Sequence, residues 1–247
     1  MARNELVLLR LSNQYLLHAG ERMRVLRAMN GFQAQFLSNA LHAMRLRCAA
    51  YDNAHAADSL VKSWTLRGTM HIFAEADLPL FLHTGCRYRS RDWTVPSFWN
   101  QRPNWALTPK RQAYFSDLII DALAQGPMTR EALKARCRAA GMTQAEEGSI
   151  FHPWGGGIRE LCERGFLCGT VSEEKAFRLC PAFTPMEEQD ALLEQTRRYF
   201  TNYGPASVRD AAYYFGTSQA EIKKRLARLP VEAAKYEGQQ LFSLDSG

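Results

Sequence analysis

Gly126, Pro127, Met128 and Thr129 open a stretch that runs to Gly141, Met142, Thr143, Gln144, Ala145 and Glu146; Gly204, Pro205, Ala206 and Ser207 open another that runs to Gly216, Thr217, Ser218, Gln219, Ala220 and Glu221. The two stretches say nearly the same thing, and internal repetition constrains architecture before any single residue does. In each, the hydroxyl residue after Gly-Pro can accept from the free N–H groups of a short helix, and a glycine stops that helix. A second hydroxyl residue with a glutamate three positions on, Thr143 with Glu146 and Ser218 with Glu221, fits a capping box for the next helix. The repeated unit reads helix, turn, short helix, turn, longer helix.

Each repeat runs on into a hairpin. Residues 166–179 read as two short strands around Ser172, Glu173, Glu174 and Lys175, and residues 231–244 do the same around Glu237 and Gly238. Three helices and then a hairpin make the winged-helix form of helix-turn-helix, which meets DNA with its third helix and hairpin; the same form also serves as a protein-interaction module. A degenerate copy comes first: helical periodicity over residues 4–19 and 21–29, a third helix near residues 56–66 ending at Arg67 and Gly68, then a strand over residues 69–74. The expected fold is α+β and mostly helical, with three tandem winged-helix units carrying short β-hairpin wings. Their bounds are 1–84, 109–183 and 184–247, with a basic and aromatic linker over 85–108. Units of about 80 residues bury little apolar surface alone, so side-by-side packing into one rigid body is expected.

Composition agrees with a nucleic-acid partner. The formal charge is +6 and the pI about 9.1, the level of a basic footprint. No apolar run is long enough to span a membrane, and Arg3, Glu5 and Arg10 interrupt any signal-peptide core, which points to the cytoplasm. Six cysteines lack C-x-x-C spacing and the histidines lack metal spacing, so reduced thiols and no metal or other cofactor are expected. Gly155, Gly156 and Gly157 lead into no Gly-Lys-Ser/Thr and read as a bend inside or before the long helix.

Two basic surfaces stand out. Arg87, Arg89, Arg91, Arg102, Lys110 and Arg111 face a single acid, Asp92, and are interleaved with Tyr88, Trp93, Phe98, Trp99 and Trp105. Cations alternating with flat rings suit a phosphate backbone, whereas Trp99 and Trp105 equally suit packing one unit on the next. Lys223, Lys224, Arg225 and Arg228 form a stripe behind Ser218, either a DNA-facing edge or a solvated helix face.

Near the N-terminus, Asn30 and Gly31 end a helix and Phe32, Gln33, Ala34, Gln35 and Phe36 alternate apolar with amide. In an extended segment both glutamines point the same way, with the phenylalanines anchored beneath. Glu5 and Glu21 are the only carboxylates in the first 50 residues, and Lys62 is the first lysine. Chemistry there is expected to use neither a nearby Asp nor a nearby Lys.

Met29 to Gln35 (M-N-G-F-Q-A-Q), the downstream Arg45 and Arg47, and Trp64 to Phe73 (W-T-L-R-G-T-M-H-I-F) closely resemble the opening of the AlkZ-like, or YcaQ-type, DNA glycosylases; Tyr203 to Val208 extends the likeness. The resemblance covers almost the whole chain and implies tandem winged helices acting on double-stranded DNA with alkylated purines, notably N7-alkylguanine, and in some members unhooking interstrand crosslinks. It carries the catalytic pair onto Gln33 and Gln35, where related enzymes have Asp at the second position. It also implies DNA contacts from Arg45 and Arg47. Arg67, Thr69 and His71 lie where they could touch the backbone near the lesion, His71 being alternatively a packed strand histidine. Glutamine does not titrate, so it orients water and places a carbonyl dipole. That suits hydrolysis of cationic N7-alkylpurines by a monofunctional, monomeric enzyme with an open cleft lacking both an aromatic sandwich and a cluster of charges. Family members continue into a C-terminal β-rich part, and this sequence stops at Gly247. The alternative is a non-catalytic winged-helix DNA-binding protein or transcriptional regulator, and a protein-interaction scaffold stands third.

Overall fold

In a computed structural model, which describes residues 1–52 and 57–245, the described residues form eleven α-helices and eight strands, an α+β architecture. The first third holds α1 (Arg3–Asn13), α2 (Arg22–Ala28), β1 (Phe32–Gln33), α3 (Leu37–Arg45), β2 (Leu60–Trp64), β3 (Met70–Ala74) and α4 (Leu78–Phe81). The middle holds α5 (Pro109–Leu123), β4 (Met128–Thr129), α6 (Arg130–Ala139), α7 (Gln144–Ile150), α8 (Gly156–Glu163), β5 (Leu167–Gly169) and β6 (Ala176–Leu179). The last holds α9 (Glu188–Asn202), α10 (Val208–Phe215), α11 (Gln219–Leu226), β7 (Glu232–Tyr236) and β8 (Gln239–Ser243).

The two repeated stretches start alike, although the middle one carries four helices before its hairpin and the last one three. Thr129 caps α6 by accepting from Ala132 N–H at 3.2 Å, and Ser207 caps α10 by accepting from Asp210 N–H at 3.1 Å. Each repeat also places a short strand between two helices and ties it to the last strand of its hairpin: β1 to β3, β4 to β6, and Ala206 to Phe242 beside β8. The box at α7 is complete, with Thr143 accepting from Glu146 N–H and the Glu146 carboxylate accepting from Thr143 N–H at 2.9 Å. At α11 only half forms, because Glu221 turns to Lys224 at 2.7 Å.

Two hairpins merge into one antiparallel sheet of order β1-β3-β2-β5-β6-β4, joined where Lys62 on β2 stands in register with Gly169 on β5. The third hairpin stands apart, and α9 fastens its repeat to the first. Arg198 on α9 gives Asp77 two hydrogen bonds, at 2.7 and 2.9 Å, with both groups buried, and donates to Glu194 at 2.8 Å. From α1, Arg10 donates to the Pro205 carbonyl at 2.7 Å and Asn13 to that of Gly204 at 3.0 Å.

Three sequence expectations are corrected. The helix expected over residues 56–66 is not there; residue 56 lies outside the described residues, and β2 occupies 60–64. Leu60, Val61, Lys62 and Ser63 are all buried because β3 and β5 flank them on either side, so the segment is a central strand. The helix expected over 4–19 stops at Asn13, and Tyr15 takes a left-handed φ of 59° where the chain turns. A helix absent from the expected elements, α3, begins two residues after Gln35.

Residues 85–108 pack onto the middle repeat. Trp93 and Leu107 enter its core, Trp105 packs against it and Trp99 is buried, which favours the packing role for the tryptophans. Buried Arg164 donates to the carbonyls of Ser90 and Asp92 at 2.8 and 3.2 Å, with its guanidinium 4.2 Å from the Trp93 ring centre. No helix among the described residues is long and apolar enough to cross a membrane.

Candidate active site

The Gln-x-Gln element is extended, as its alternation implies. Asn30 and Gly31 take left-handed φ values of 55° and 76°, and a Cβ on Gly31 would stand 2.5 Å from the Ile72 carbonyl oxygen, so glycine is required for the chain to enter alongside β3. Phe32 and Gln33 pair with Ile72 and His71, and Ala34 N–H donates to the Met70 carbonyl at 2.7 Å. Phe32 and Ala34 are buried while Gln33 and Gln35 are exposed. Phe36 departs from the expectation that both phenylalanines anchor the motif: it is 68% exposed, and Phe32 with Ala34 supplies the anchor. The preceding turn is held from α9, where the Gln195 carbonyl accepts from Asn30 Nδ2 at 3.1 Å and Tyr203 donates its hydroxyl hydrogen to the Met29 carbonyl at 3.2 Å.

Both amides line a cleft of about 720 Å³ between the first and middle repeats, within the roughly 300–1,000 Å³ of small-molecule sites. Sheet residues Lys62, Trp64, Met70, Gly169 and Phe177 line it together with Arg130 and Glu131 from α6, and Trp154 and Arg159 around the start of α8. Thr69 is there as well. The expectation of no nearby lysine is therefore overturned: Lys62 lies in the same cleft, and only 8% of it is exposed. Its stem runs over Gly169, where a Cβ would lie 3.6 Å from Lys62 Cγ. Burial, and then the neighbouring Lys175 ammonium, holds its pKa below the usual lysine value. The local pattern hides this lysine because β2 reads as a helix. The expectation of a cleft without a cluster of charges fails too, since Lys62, Arg130, Arg159 and Lys175 share the lining, to which Trp64, Phe177 and Trp154 add aromatic rings.

The wall opposite the amides is rigid. Arg130 donates to the His152 carbonyl at 2.7 Å, Trp154 N–H donates to His152 Nδ1 at 3.2 Å, and the His152 ring packs 5.5 Å from that of Trp99. Gly155 and Gly156 take φ of 138° and 59°, the bend the glycine run implies. Arg159 is paired with Glu163 at 2.7 Å, and its guanidinium reaches across so that a Cβ on Gly68 would meet Nη2 at 2.3 Å. The Arg67-Gly68-Thr69 turn thus packs against the far wall, and Thr69 donates its hydroxyl hydrogen to the Leu66 carbonyl at 3.0 Å.

Other expected DNA contacts lie elsewhere. Arg45 is exposed at the end of α3, and half-buried Arg47 donates to the Ala43 carbonyl at 3.0 Å with its guanidinium 5.6 Å from the Phe32 ring. His71 is buried, with Nδ1–H directed at the Thr69 carbonyl at 3.1 Å; burial pushes its pKa down to about 4 against the pull of that hydrogen bond. This favours the packed-histidine alternative over a backbone contact. Arg87 donates to the Pro96 carbonyl, Arg89 stands 5.3 Å from the Phe166 ring, and Arg91 pairs with Asp117. These three brace the segment 85–108 and do not line the amide cleft. Arg67 is exposed, 5.6 Å from the Tyr213 ring, and shares an open groove of about 760 Å³ with Arg209 and Gln219. Lys223 lines an adjoining cleft with Arg209, and Lys224 is paired with Glu221 at 2.7 Å.

The family model described as DNA glycosylase AlkZ-like matches residues 26–246. An interstrand DNA cross-link repair glycosylase of Streptomyces sahachiroi is 28% identical over 236 residues, covering 87% of this chain but 61% of the relative, so the chain spans less than two thirds of that protein's length. The solved structure of the Streptomyces sahachiroi DNA glycosylase AlkZ shares the fold with a TM-score of 0.75 at 24% identity, over 99% of this chain and 70% of that one. The matched region contains the anchored Gln-x-Gln strand and both walls of the cleft, and on that breadth of agreement the chain belongs to the AlkZ-like DNA glycosylase family.

Proposed function

We propose that this chain is a monofunctional DNA glycosylase that hydrolyses the N-glycosidic bond of cationic N7-alkylated purines in double-stranded DNA, crosslinked purines included, and that its three repeats act as winged-helix units gripping the duplex. The observation that carries this reading is the placement of Gln33 and Gln35, exposed on a backbone fixed to β3, in a cleft with Lys62, Arg130, Arg159 and Lys175. The cations suit the phosphates flanking a lesion. The amides suit the chemistry. Water bonds to C1′ as the C1′–N9 pair leaves with the base, which departs neutral because it began as a cation. A glutamine carbonyl accepts from the water and faces the positive charge developing on the sugar, while an N–H holds the water oxygen; the surplus proton goes to solvent. The openness of the site between two repeats suits a bulky or tethered base that full extrusion into a closed pocket would exclude.

Single-turnover excision on a duplex with one N7-methylguanine tests it. Wild type is expected to leave abasic sites that break only on alkali treatment, at a rate independent of pH near neutrality. Gln35→Ala is expected to cost about 10²–10³ in rate. A loss below about threefold would remove Gln35 from the mechanism. Strand breaks without alkali would instead assign imine chemistry to Lys62.

A further inference from the structure

Trp154 is 73% exposed, on a stretch of backbone that is tied at several points. Its backbone N–H is tied to His152 Nδ1, the His152 carbonyl accepts from both Arg130 Nη2 at 2.7 Å and Gly155 N–H at 2.8 Å, and a Cβ on Gly156 would strike the Ser149 carbonyl oxygen at 2.2 Å. A large apolar ring exposed in the lining of a cleft, on a backbone already fixed, has only its own side-chain torsions left to order on binding and so suits an interaction anchor.

The charges in the cleft say what the ring is for. Lys62, Arg130 and Lys175 attract phosphates but repel a cationic base, while Arg159 is paired with Glu163 at 2.7 Å and the lining carboxylate, Glu131, with Lys134 at 2.8 Å. Attraction for a cation must then come from neutral groups, namely amide carbonyls or the face of an aromatic ring. Among the described aromatic residues of the lining, Phe177 is buried and Trp64 packs against the middle core, whereas Trp154 presents its indole.

We propose that Trp154 is the specificity-determining residue of this cleft, its indole stacking on the lesion purine and selecting the N7-alkylated cation over a neutral base. This rests on the glycosylase reading above. The amides then act at the sugar and the indole at the base, so charge recognition and hydrolysis belong to opposite walls.

The test is equilibrium binding of the full chain to three duplexes differing at one position: 2′-fluoro-N7-methylguanine, cationic and resistant to hydrolysis; 7-methyl-7-deazaguanine, its neutral isostere; and guanine. Wild type is expected to bind the cationic duplex about 5- to 30-fold more tightly than the isostere. Trp154→Ala should reduce that preference below about twofold, costing the cationic duplex more affinity than the isostere or the guanine duplex, and Trp154→Phe should retain part of the preference. Unchanged thermal melting of both variants establishes that they fold. A preference that survives Trp154→Ala, or an equal loss on all three duplexes, overturns the assignment, the second result making Trp154 a general DNA contact. Discrimination of both methylated duplexes from guanine without charge preference would sink the Trp154 proposal and leave the glycosylase reading standing. If wild type binds all three alike and excises nothing, the glycosylase reading falls and takes this proposal with it.

Discussion

At His71 the imidazolium is penalised by burial, and by the nearby Arg67 charge, more than the Thr69 carbonyl favours it, so its pKa falls to about 4 from an ordinary 6.5. Between these values an unfolded chain takes up a proton that the folded one refuses. Stability is complete above about pH 6.5 and is lost as pH falls toward 4, by an amount on the order of 3 kcal/mol. His71→Asn keeps a donor for the Thr69 carbonyl without the titration, and urea denaturation across that window should show a flatter pH dependence than wild type. Lys62 gives a signal of the same sign at higher pH. Its depressed pKa means that the charged form is disfavoured in the fold, so stability rises as pH climbs through the folded value toward that of a free lysine. Lys62→Met is accordingly expected to raise the melting temperature and yet weaken DNA binding, with the slope of log affinity against log salt reduced by about 0.9 if Lys62 holds one phosphate. A lower melting temperature or an unaltered slope would make the lysine structural.

On the scale of elements, α9 and Tyr203 at its end hold the turn that leads into Gln33 and Gln35. Asp77→Ala would leave buried Arg198 with Glu194 and the Arg27 carbonyl, which accepts from it at 3.1 Å, at a cost of about 3 kcal/mol, while replacing both partners with apolar residues, Asp77→Leu with Arg198→Met, should restore much of the loss. Because α9 also holds Asn30 and Met29, the single variant should lose excision rate even at temperatures where it remains folded; unchanged single-turnover rates in Asp77→Ala would show the turn to be self-supporting. The legibility of the sequence obeys the same division. Thr129, Thr143, Ser207 and Ser218 announce helix starts, and Gly216 a stop, through interactions within a few residues, so the repeats and hairpins are readable. The Gln33 and Gln35 alternation is likewise local. The strand identity of β2 is not, because it comes from β3 and β5 on its flanks. Without β2 as a strand, Lys62 has no place in the cleft, and the far wall of Arg130, Trp154 and Arg159 is out of reach because it comes from a segment some hundred residues later. Arg87, Arg89 and Arg91 show the converse: a basic and aromatic composition that reads as a DNA surface is spent largely on internal bracing.

Across the whole molecule, where the formal charge is +6, two surfaces present basic side chains to an open groove or cleft. One is the amide cleft between the first and middle repeats; the other is the groove where Arg67 and Gly216 meet, with Arg209, and the adjoining Lys223 cleft on the third repeat. Arg67 belongs to the same turn as Thr69 in the first cleft, so the two surfaces are neighbours joined at residues 67–69 and not parts of one pocket. A duplex tracked by both would be gripped by the third repeat while its lesion lies between the first two. Grip and chemistry should then separate. Arg209→Glu combined with Lys223→Glu is expected to weaken duplex binding strongly and to reduce the salt slope by about 1.8, for two phosphates no longer neutralised. Neither residue lines the amide cleft, so the excision rate at saturating protein should stay at the wild-type value. Single-turnover kinetics across a protein titration resolves the two quantities. A fall confined to the concentration needed for half-maximal rate would support separate surfaces, whereas a fall in the plateau would mean that the third repeat also positions the lesion against Gln33 and Gln35.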